Sequence, residues 1–266
     1  MLPPMSGAPS VLALVRPVSP RLADCELMEI ERRPIDAGRA VQQHQKYVVT
    51  LAELGARIEH LPALPEHPDG VFVEDTAVIL PELAIITRPG AASRQGEVES
   101  TAHALSPHRP LRRIVAPATL DGGDVLRIGR ALYVGSSART NRDGIVQLEA
   151  AAGPCGYRVR AIALQGCLHL KSAVTFIPPD HVLLNPDWVD PGLFAGLQAI
   201  AVDPQEPNAA NTLTLADSTL VSSQHPRTAE RLAGAGIRLR FLEVGELHKA
   251  EAGLSCMSLL LEGGGA

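Results

Sequence analysis

The chain has few aromatic residues, no block of basic residues and no long apolar run. Of its 266 residues only 3% are aromatic, and the formal net charge is -5. Scarce aromatic rings argue against a surface that stacks nucleic-acid bases, and the absence of a basic block argues against a nucleic-acid or acidic-membrane partner. No apolar run approaches the roughly 18 residues of a membrane span. The composition, 45% hydrophobic, is that of a globular protein with a substantial core.

Cysteine is also scarce. Cys25, Cys155, Cys167 and Cys256 are far apart and form no Cys-x-x-Cys pair, so neither a disulfide scaffold nor a structural zinc site is expected. The N-terminal stretch lacks the basic and apolar segments of a signal peptide. We therefore expect reduced thiols, a cytoplasmic protein and a flexible tail at residues 1–9.

Strand hairpins recur along the chain. An apolar run, a short turn and a second apolar run appear four times, beginning at "VFVEDTAVIL", "GGDVLRIGRALYVG", "LHLKSAVTFIPPDHVLL" and "AANTLTLADSTLVSS". Helices are predicted after three of these units, over residues 93–105, 140–152 and 226–236. The pattern is therefore that of a repeated α/β unit.

Two further strands, "SVLALVRPVSP" and "LSCMSLLLEG", lie near the two ends of the chain and would form a fifth unit if they paired. Residues 1–266 are therefore predicted to be one α/β domain. It would be a five-bladed pseudo-symmetric α/β propeller, with its ring closed by the N- and C-terminal strands. The alternative is an open α/β sheet of βαβ units. Neither a Gly-x-Gly-x-x-Gly turn nor a phosphate-binding loop supports a nucleotide site in such a sheet.

Polar residues occupy the start of each repeated unit. Because equivalent strand ends in a ring point at one centre, these residues should meet in a single pocket. The five sets are Glu74 with Asp75, Asp121 with Asp124, His169 with Lys171, Asn208 with Asn211, and Ser255 with Cys256.

Three of these residues have both a structural and a catalytic interpretation. Cys256 is either a small buried residue or a thiolate nucleophile that needs a base or cation nearby. His169 alternates with apolar neighbours on a predicted strand, where it is either structural or a base. Asp121 is either a turn residue or the carboxylate that orients His169. A cysteine and a histidine distant in sequence are a pattern for covalent catalysis.

Glu74 and Asp75 interrupt an otherwise apolar predicted strand. Burying two carboxylates costs several kcal/mol unless a cation pairs with them. That cation is either a substrate guanidinium, which carboxylates bind through paired hydrogen bonds, or an internal arginine such as Arg88. Arg94 and Arg139 follow second strands of their units and could hold a substrate carboxylate.

Taken in order, the motifs resemble those of the dimethylarginine dimethylaminohydrolases, of the guanidino-group-modifying or pentein superfamily. The resemblance runs from about residue 10 to 263. It is carried by "PDGVFVEDTAVI", "AIITRPGAASRQGE", "LDGGDVL", "YVGSSARTNRDG", "LHLKS", "AAN" and "LSCMSL". It implies a five-bladed α/β propeller. It also implies hydrolysis of asymmetric dimethylarginine and monomethylarginine to citrulline and dimethylamine or methylamine, through a covalent Cys-thiouronium intermediate and without a cofactor.

The resemblance also implies a role for each site residue. Cys256 would be the nucleophile, His169 the general acid and base, and Asp121 the carboxylate beside it. The segment around residues 20–27 resembles the family's lid. The substrate-binding residues would be Asp69 near the amino end, Phe72 beside the substrate, Glu74 and Asp75 at the guanidinium, and Arg94 and Arg139 at the carboxylate.

Related proteins supply the competing interpretations. Arginine deiminases are longer chains with a helical insertion, and agmatine deiminases would not need Arg94 and Arg139 as a carboxylate clamp. An amidinotransferase would pass the amidino group to an amine instead of water. A ribosome-binding branch shares the fold without the cysteine, histidine and carboxylate set.

We expect a small guanidino amino acid as the partner, no metal and no nucleic acid or membrane, and a homodimer is left open.

Overall fold

The structure is a computed structural model that describes residues 11–263, so the predicted tail at residues 1–9 lies outside the described part. Its strands are, in chain order, β1 (Leu12–Val15), β2 (Arg57–His60), β3 (Ala77–Ile79), β4 (Ala84–Ile86), β5 (Leu111–Arg113), β6 (Val125–Ile128), β7 (Ala131–Ser136), β8 (Arg158–Ala163), β9 (Val174–Ile177), β10 (His181–Leu184), β11 (Gln198–Ala201), β12 (Leu213–Leu215), β13 (Ser218–Ser222), β14 (Leu239–Leu242) and β15 (Leu259–Leu261). The helices are α1 (Ala37–Glu53), α2 (Val98–Leu105), α3 (Arg142–Ala152), α4 (Leu170–Ala173), α5 (Pro226–Gly234) and α6 (Gly245–His248).

Within residues 11–263 the strands form five separate three-stranded sheets, and all five follow one plan. Two strands pair antiparallel as a hairpin, and a third strand joins the second one in parallel, as in β3-β4-β5 and β6-β7-β8. In the fifth sheet the antiparallel pair is β15 with β1, in which Leu12 lies opposite Leu261. The predicted pairing of the terminal strands is therefore confirmed, and the alternative of one open sheet is wrong.

The second and third strands of each sheet are joined by a helical connection. The three helices predicted from the sequence correspond to α2, α3 and α5, with a 3-10 turn at Ala92–Glu97 leading into α2. After β10 the connection contains only the 3-10 turn Pro191–Phe194. The longest helix, α1, was not predicted, because its buried face includes the polar side chains of Gln43 and His44.

The hydrophobic core is divided among clusters that each lie between two sheets. Alternate side chains of a strand point to opposite faces, so Leu14 of β1 packs with Ile86 of β4, whereas Val15 packs with Leu220 of β13. Similar clusters join β3-β4-β5 to β6-β7-β8, β6-β7-β8 to β9-β10-β11, and β9-β10-β11 to β12-β13-β14. Each sheet therefore packs against neighbours on both faces. No helix in the described part of the chain has the length and apolar character of a membrane span.

Candidate active site

Short helical turns, rather than strands, carry most of the predicted site residues. The segment predicted as a strand over residues 71–80 contains a 3-10 turn at Val73–Thr76, and only Ala77–Ile79 is strand. Asp121 and Cys256 also lie at or within 3-10 turns, and His169 immediately precedes α4 instead of lying on a strand. The turns contact one another. Because a helical turn points adjacent side chains in different directions, neighbours in sequence serve different sites.

His169 is held by carboxylates on both sides of its ring. Its Nε2 lies 3.0 Å from Oδ2 of Asp121, and its Nδ1 lies 3.9 Å from Oδ1 of Asp75. Asp121 is fixed in turn, because its Oδ1 accepts a hydrogen bond of 2.8 Å from the Gly90 N–H. Burial alone would lower the pKa of His169, but Asp75, Asp121 and Asp124 outweigh it and raise the pKa to about 9. The imidazole is therefore a cation at neutral pH.

The partner of Asp75 is an internal arginine. Arg94 Nη1 donates to Oδ2 of Asp75, and the Gly123 N–H donates to its Oδ1 over 2.9 Å. Burial would raise the pKa of Asp75, but the positive charges of His169 and Arg94 lower it to about 2. The predicted countercharge is thus present in the protein. It is supplied by Arg94 and not by Arg88, whose Nη1 donates to a backbone carbonyl.

Arg94 has more protein partners than its predicted role requires. Its Nη2 donates to Oε2 of Glu97 over 2.9 Å and to the carbonyl oxygens of Phe72 and Asp69, and its Nε donates to Oε1 of Glu97. Only one N–H of Nη1 has no acceptor among residues 11–263. The contact between Arg94 and a substrate carboxylate stays a prediction. Glu97 was missed in the sequence, although its spacing of three residues from Arg94 is that of an ion pair on a helical turn.

Glu74 does not line the cavity that contains the other predicted substrate-binding residues, and its contact with the substrate stays a prediction. Its Oε1 lies 2.7 Å from Lys171 Nζ, and its Oε2 accepts a 2.7 Å hydrogen bond from Ser255 Oγ. These three residues line a separate cavity of about 390 Å³. The two adjacent carboxylates therefore do not form one socket, because the 3-10 turn directs Glu74 and Asp75 to different sides.

Cys256 lies on the turn Ser255–Met257, and its Sγ accepts a hydrogen bond of 3.3 Å from the Gly253 N–H. Burial raises the pKa of the Cys256 thiol, and the negative charges of Glu74 and Asp75 raise it further. The thiol is therefore protonated at neutral pH as long as no further positive charge enters the site. All four cysteines are free thiols.

Seven of the nine predicted site residues line one cavity, which measures only about 20 Å³. These seven are Asp69, Phe72, Asp75, Arg94, Arg139, His169 and Cys256. Asp121 lies behind His169, and Glu74 lines the separate cavity. The space is far too small for an amino acid with a guanidino group, so part of the lining must move before such a molecule can bind.

The segment that resembles the family's lid contributes Glu26 to the lining of this cavity, and the residues that follow it contact other lining residues. The Glu26 N–H donates to Oδ2 of Asp69 over 3.1 Å, and Sδ of Met28 lies 3.2 Å from Nε of Arg139. The N–H groups of Met28 and Glu29 donate to the two carboxylate oxygens of Glu251, over 2.8 and 3.0 Å. Glu251 has a φ of 58°, which is unusual for a residue other than glycine. No local sequence signal pointed to Glu251.

Asp75, Asp121 and His169 are also the group that could hold a metal ion in the described part of the chain. One donor atom from each lies within 4.8 Å of the others. These donors already have protein partners, namely Arg94, the Gly90 N–H and one another. The sequence-based expectation that no metal is required stays a prediction.

No protein-family model matches the chain. It is 39% identical over 255 residues to an N(G),N(G)-dimethylarginine dimethylaminohydrolase of Streptomyces coelicolor, which covers 95% of this chain and 98% of that protein. It is 34% identical over 227 residues to the protein of the same name from Pseudomonas aeruginosa, which covers 84% and 89% of the two chains.

A solved structure supports the same relationship. It is that of a cysteine-to-serine variant of the Pseudomonas aeruginosa dimethylarginine dimethylaminohydrolase in complex with citrulline. It matches with a TM-score of 0.91 and 31% identity over 96% of this chain and 100% of that one. The chain belongs to the dimethylarginine dimethylaminohydrolase family of hydrolases, within the pentein superfamily.

Proposed function

We propose that this chain hydrolyses asymmetric dimethylarginine and monomethylarginine to citrulline and dimethylamine or methylamine. The observation that carries the proposal is that a thiol, an imidazole, a carboxylate and a guanidinium line one cavity. Cys256, His169 and Asp75 line it together with the cation of Arg139. A guanidino amino acid has charges that complement this lining, and two relatives have the corresponding name.

The proposed reaction has two halves. The Cys256 thiolate attacks the guanidinium carbon, the bond from that carbon to the methylated nitrogen breaks, and His169 gives its proton to the departing amine. A thiouronium remains covalently bound to sulfur. The neutral His169 then takes a proton from water, and the resulting hydroxide adds to the same carbon. The carbon–sulfur bond breaks, and the added hydroxyl group loses its proton to solvent as it becomes the carbonyl oxygen of citrulline. Citrulline leaves, and the sulfur departs as thiolate.

The charges of the site fit this sequence of steps. A pKa of about 9 keeps His169 protonated at neutral pH, as the first proton transfer requires. The raised pKa of Cys256 means that the free site holds a thiol. A substrate guanidinium beside Asp75 brings the positive charge that favours the thiolate, so binding and activation would be linked.

The rest of the substrate is assigned by charge. The Arg139 guanidinium lines the cavity with no carboxylate oxygen within 4 Å among the described residues, so we propose that it binds the substrate carboxylate. The free N–H of Arg94 is the second proposed donor. Asp69, whose pKa burial raises to about 6, would take the substrate amino group once Glu26 releases it. Phe72 would pack beside the alkyl chain.

We further propose that the five sheets form the closed ring of a single five-bladed domain. The shared clusters support this, since consecutive sheets share buried side chains and the last sheet packs against the first. The pairing of β15 with β1 supports it as well. A ring brings the starts of all five hairpins to one axis, which accounts for a site made of residues distant in sequence.

The experiment is product analysis on the purified protein, given asymmetric dimethylarginine, monomethylarginine, arginine and agmatine separately. We expect citrulline with dimethylamine or methylamine from the first two substrates and no product from a Cys256→Ser variant. Ammonia released from arginine or agmatine instead would contradict the proposed substrate class. Undiminished turnover by the serine variant would contradict the nucleophile.

A further inference from the structure

The fourth hairpin unit supplies none of the groups that line the small catalytic cavity in the described structure. Its polar pair, Asn208 and Asn211, comes from the same position in the repeat as His169 and Cys256 in their own units. Asn211 is half-buried, whereas Asn208 is exposed and its side chain makes no hydrogen bond within residues 11–263. The two asparagines, three residues apart, therefore have different environments.

Both the oxygen and the nitrogen of the Asn211 side-chain amide form hydrogen bonds to residues close to Cys256 and His169. Its Oδ1 accepts a hydrogen bond of 2.9 Å from the Ser255 N–H, and its Nδ2 donates over 3.0 Å to Ser255 Oγ. The same Nδ2 donates over 3.0 Å to the carbonyl oxygen of Lys171. Ser255 precedes Cys256, and Lys171 lies two residues after His169. One side chain thus joins the turn of the nucleophile to the turn of the base.

The contact with Asn211 also shapes the loop before Cys256. A Cβ on Gly253 would lie 2.1 Å from Cγ of Asn211, so only glycine allows the backbone to come this close. The N–H of the same Gly253 donates to the Cys256 Sγ. Asn211 therefore contacts the chain at Gly253 and Ser255, two positions in the turn that leads into Cys256.

The network continues away from the sulfur. Ser255 Oγ donates to Glu74, and Lys171 Nζ donates to the same carboxylate. The hydrogen bonds therefore form one connected set that joins Asn211, Ser255, Glu74 and Lys171. In this set Ser255, next to Cys256, and Lys171, two residues after His169, both have fixed partners. This accounts for four of the seven polar residues of the repeat that do not line the catalytic cavity.

We propose that Asn211 is a positioning residue that sets the distance and direction from the Cys256 Sγ to His169. The proposal rests on the proposed function of the same site, and it adds a role for the fourth unit. Asn211 touches no reacting atom. A variant that lacks its amide should keep substrate binding, which depends on other residues, and lose the rate of the step at sulfur.

The test compares Asn211→Ala with Asn208→Ala as the matched control. For Asn211→Ala we expect kcat to fall on the order of 100-fold, because a displacement of about 1 Å at a reacting group has an effect of that size. We expect little change in KM and in the Kd for citrulline. For Asn208→Ala we expect kcat, KM and Kd close to those of the unmodified chain.

A second readout does not depend on turnover. The measured quantity is the rate at which iodoacetamide alkylates Cys256, followed by mass spectrometry. This rate should change in Asn211→Ala and stay the same in Asn208→Ala. If the unmodified protein converts neither methylated arginine, the proposed function fails, and the alkylation comparison still decides the role of Asn211.

Asn211→Asp is a second variant, which keeps the test possible if Asn211→Ala does not fold. It keeps an acceptor for the Ser255 N–H but loses both donors, so kcat should again fall while citrulline binding persists. The positioning role is overturned if either folded variant matches Asn208→Ala in kcat and alkylation rate. It is also overturned if the loss lies wholly in KM and in the citrulline Kd.

Discussion

The Nε2 of His169 lies 3.0 Å from the Oδ2 of Asp121, and both side chains are buried. These residues are separated by 48 positions in the chain, and each lies at the start of a hairpin that belongs to a different sheet. The hydrogen bond fixes the orientation of the imidazole ring and favours its protonated form. His169, the proposed acid and base, is therefore protonated before the substrate binds.

Asp121→Asn should lower both the activity and the pH at which His169 loses its stabilising effect. General acid–base catalysis contributes on the order of 10²–10⁴-fold, and we expect a fall in kcat within that range. The folded-state pKa of His169, about 9, is above its ordinary value of 6.5. Its contribution to the free energy of unfolding is therefore fully present below about pH 6.5 and is lost as pH rises through about 9. Without the Asp121 charge, this loss should occur at lower pH.

The check is urea unfolding of both proteins between pH 6 and 9. Identical pH dependence of the free energy of unfolding in the two proteins would contradict the assigned interaction.

Arg94 and Arg139 should respond differently to replacement by alanine. Arg94→Ala removes the guanidinium that pairs with the buried carboxylates of Asp75 and Glu97, which costs about 3–5 kcal/mol of stability. Arg139→Ala breaks no ion pair in the described structure and should leave stability nearly unchanged. Its effect should be an increase in KM on the order of 10- to 100-fold, the size expected for a lost hydrogen bond to a charged group. Chemical denaturation and steady-state kinetics on both variants separate the two roles, and equal losses of stability would argue against the distinction.

Glu251→Ala should loosen the segment that covers the cavity. The variant removes both acceptors of the Met28 and Glu29 N–H groups, so hydrogen exchange at these two amides should become faster. Glu251→Gly is the matched control for the backbone, since glycine adopts the φ of 58° without strain. Faster exchange in both variants assigns the effect to the carboxylate. Faster exchange in the alanine variant alone would assign it to backbone strain.

Gly123→Ala should lower activity through crowding. The added methyl carbon would lie 2.7 Å from Oδ1 of Asp75 and 2.8 Å from Nδ1 of His169, well inside van der Waals contact. Both side chains must move, and we expect kcat to fall on the order of 100-fold. The control is Gly153→Ala, where a Cβ meets nothing within 4 Å and the backbone is helical. Full activity in a folded Gly123→Ala protein would mean that the site tolerates displacement of both groups.

The sequence alone predicted the hairpin repeat and most of the residues that line the candidate site. Alternating apolar runs marked the hairpins, and motifs at their starts identified Cys256, His169 and Asp121 as residues that would meet. Such patterns are local, because a strand shows its period of two within a few residues. The pairing of the terminal strands could also be inferred, since each strand lacked a hairpin partner of its own.

Only the folded chain shows which groups pair within the site. Glu74 and Asp75 are adjacent in sequence, yet Lys171 pairs with the first from 97 positions away and Arg94 with the second. Nothing local distinguishes the two carboxylates, because Lys171 comes from another unit, Arg94 comes from the connection after the second strand of the same unit, and the 3-10 turn sets the directions of both side chains. Helix α1 was not predicted, for a related reason. Its buried polar residues are satisfied by tertiary contacts, such as that of Gln43 with Glu243, 200 positions away.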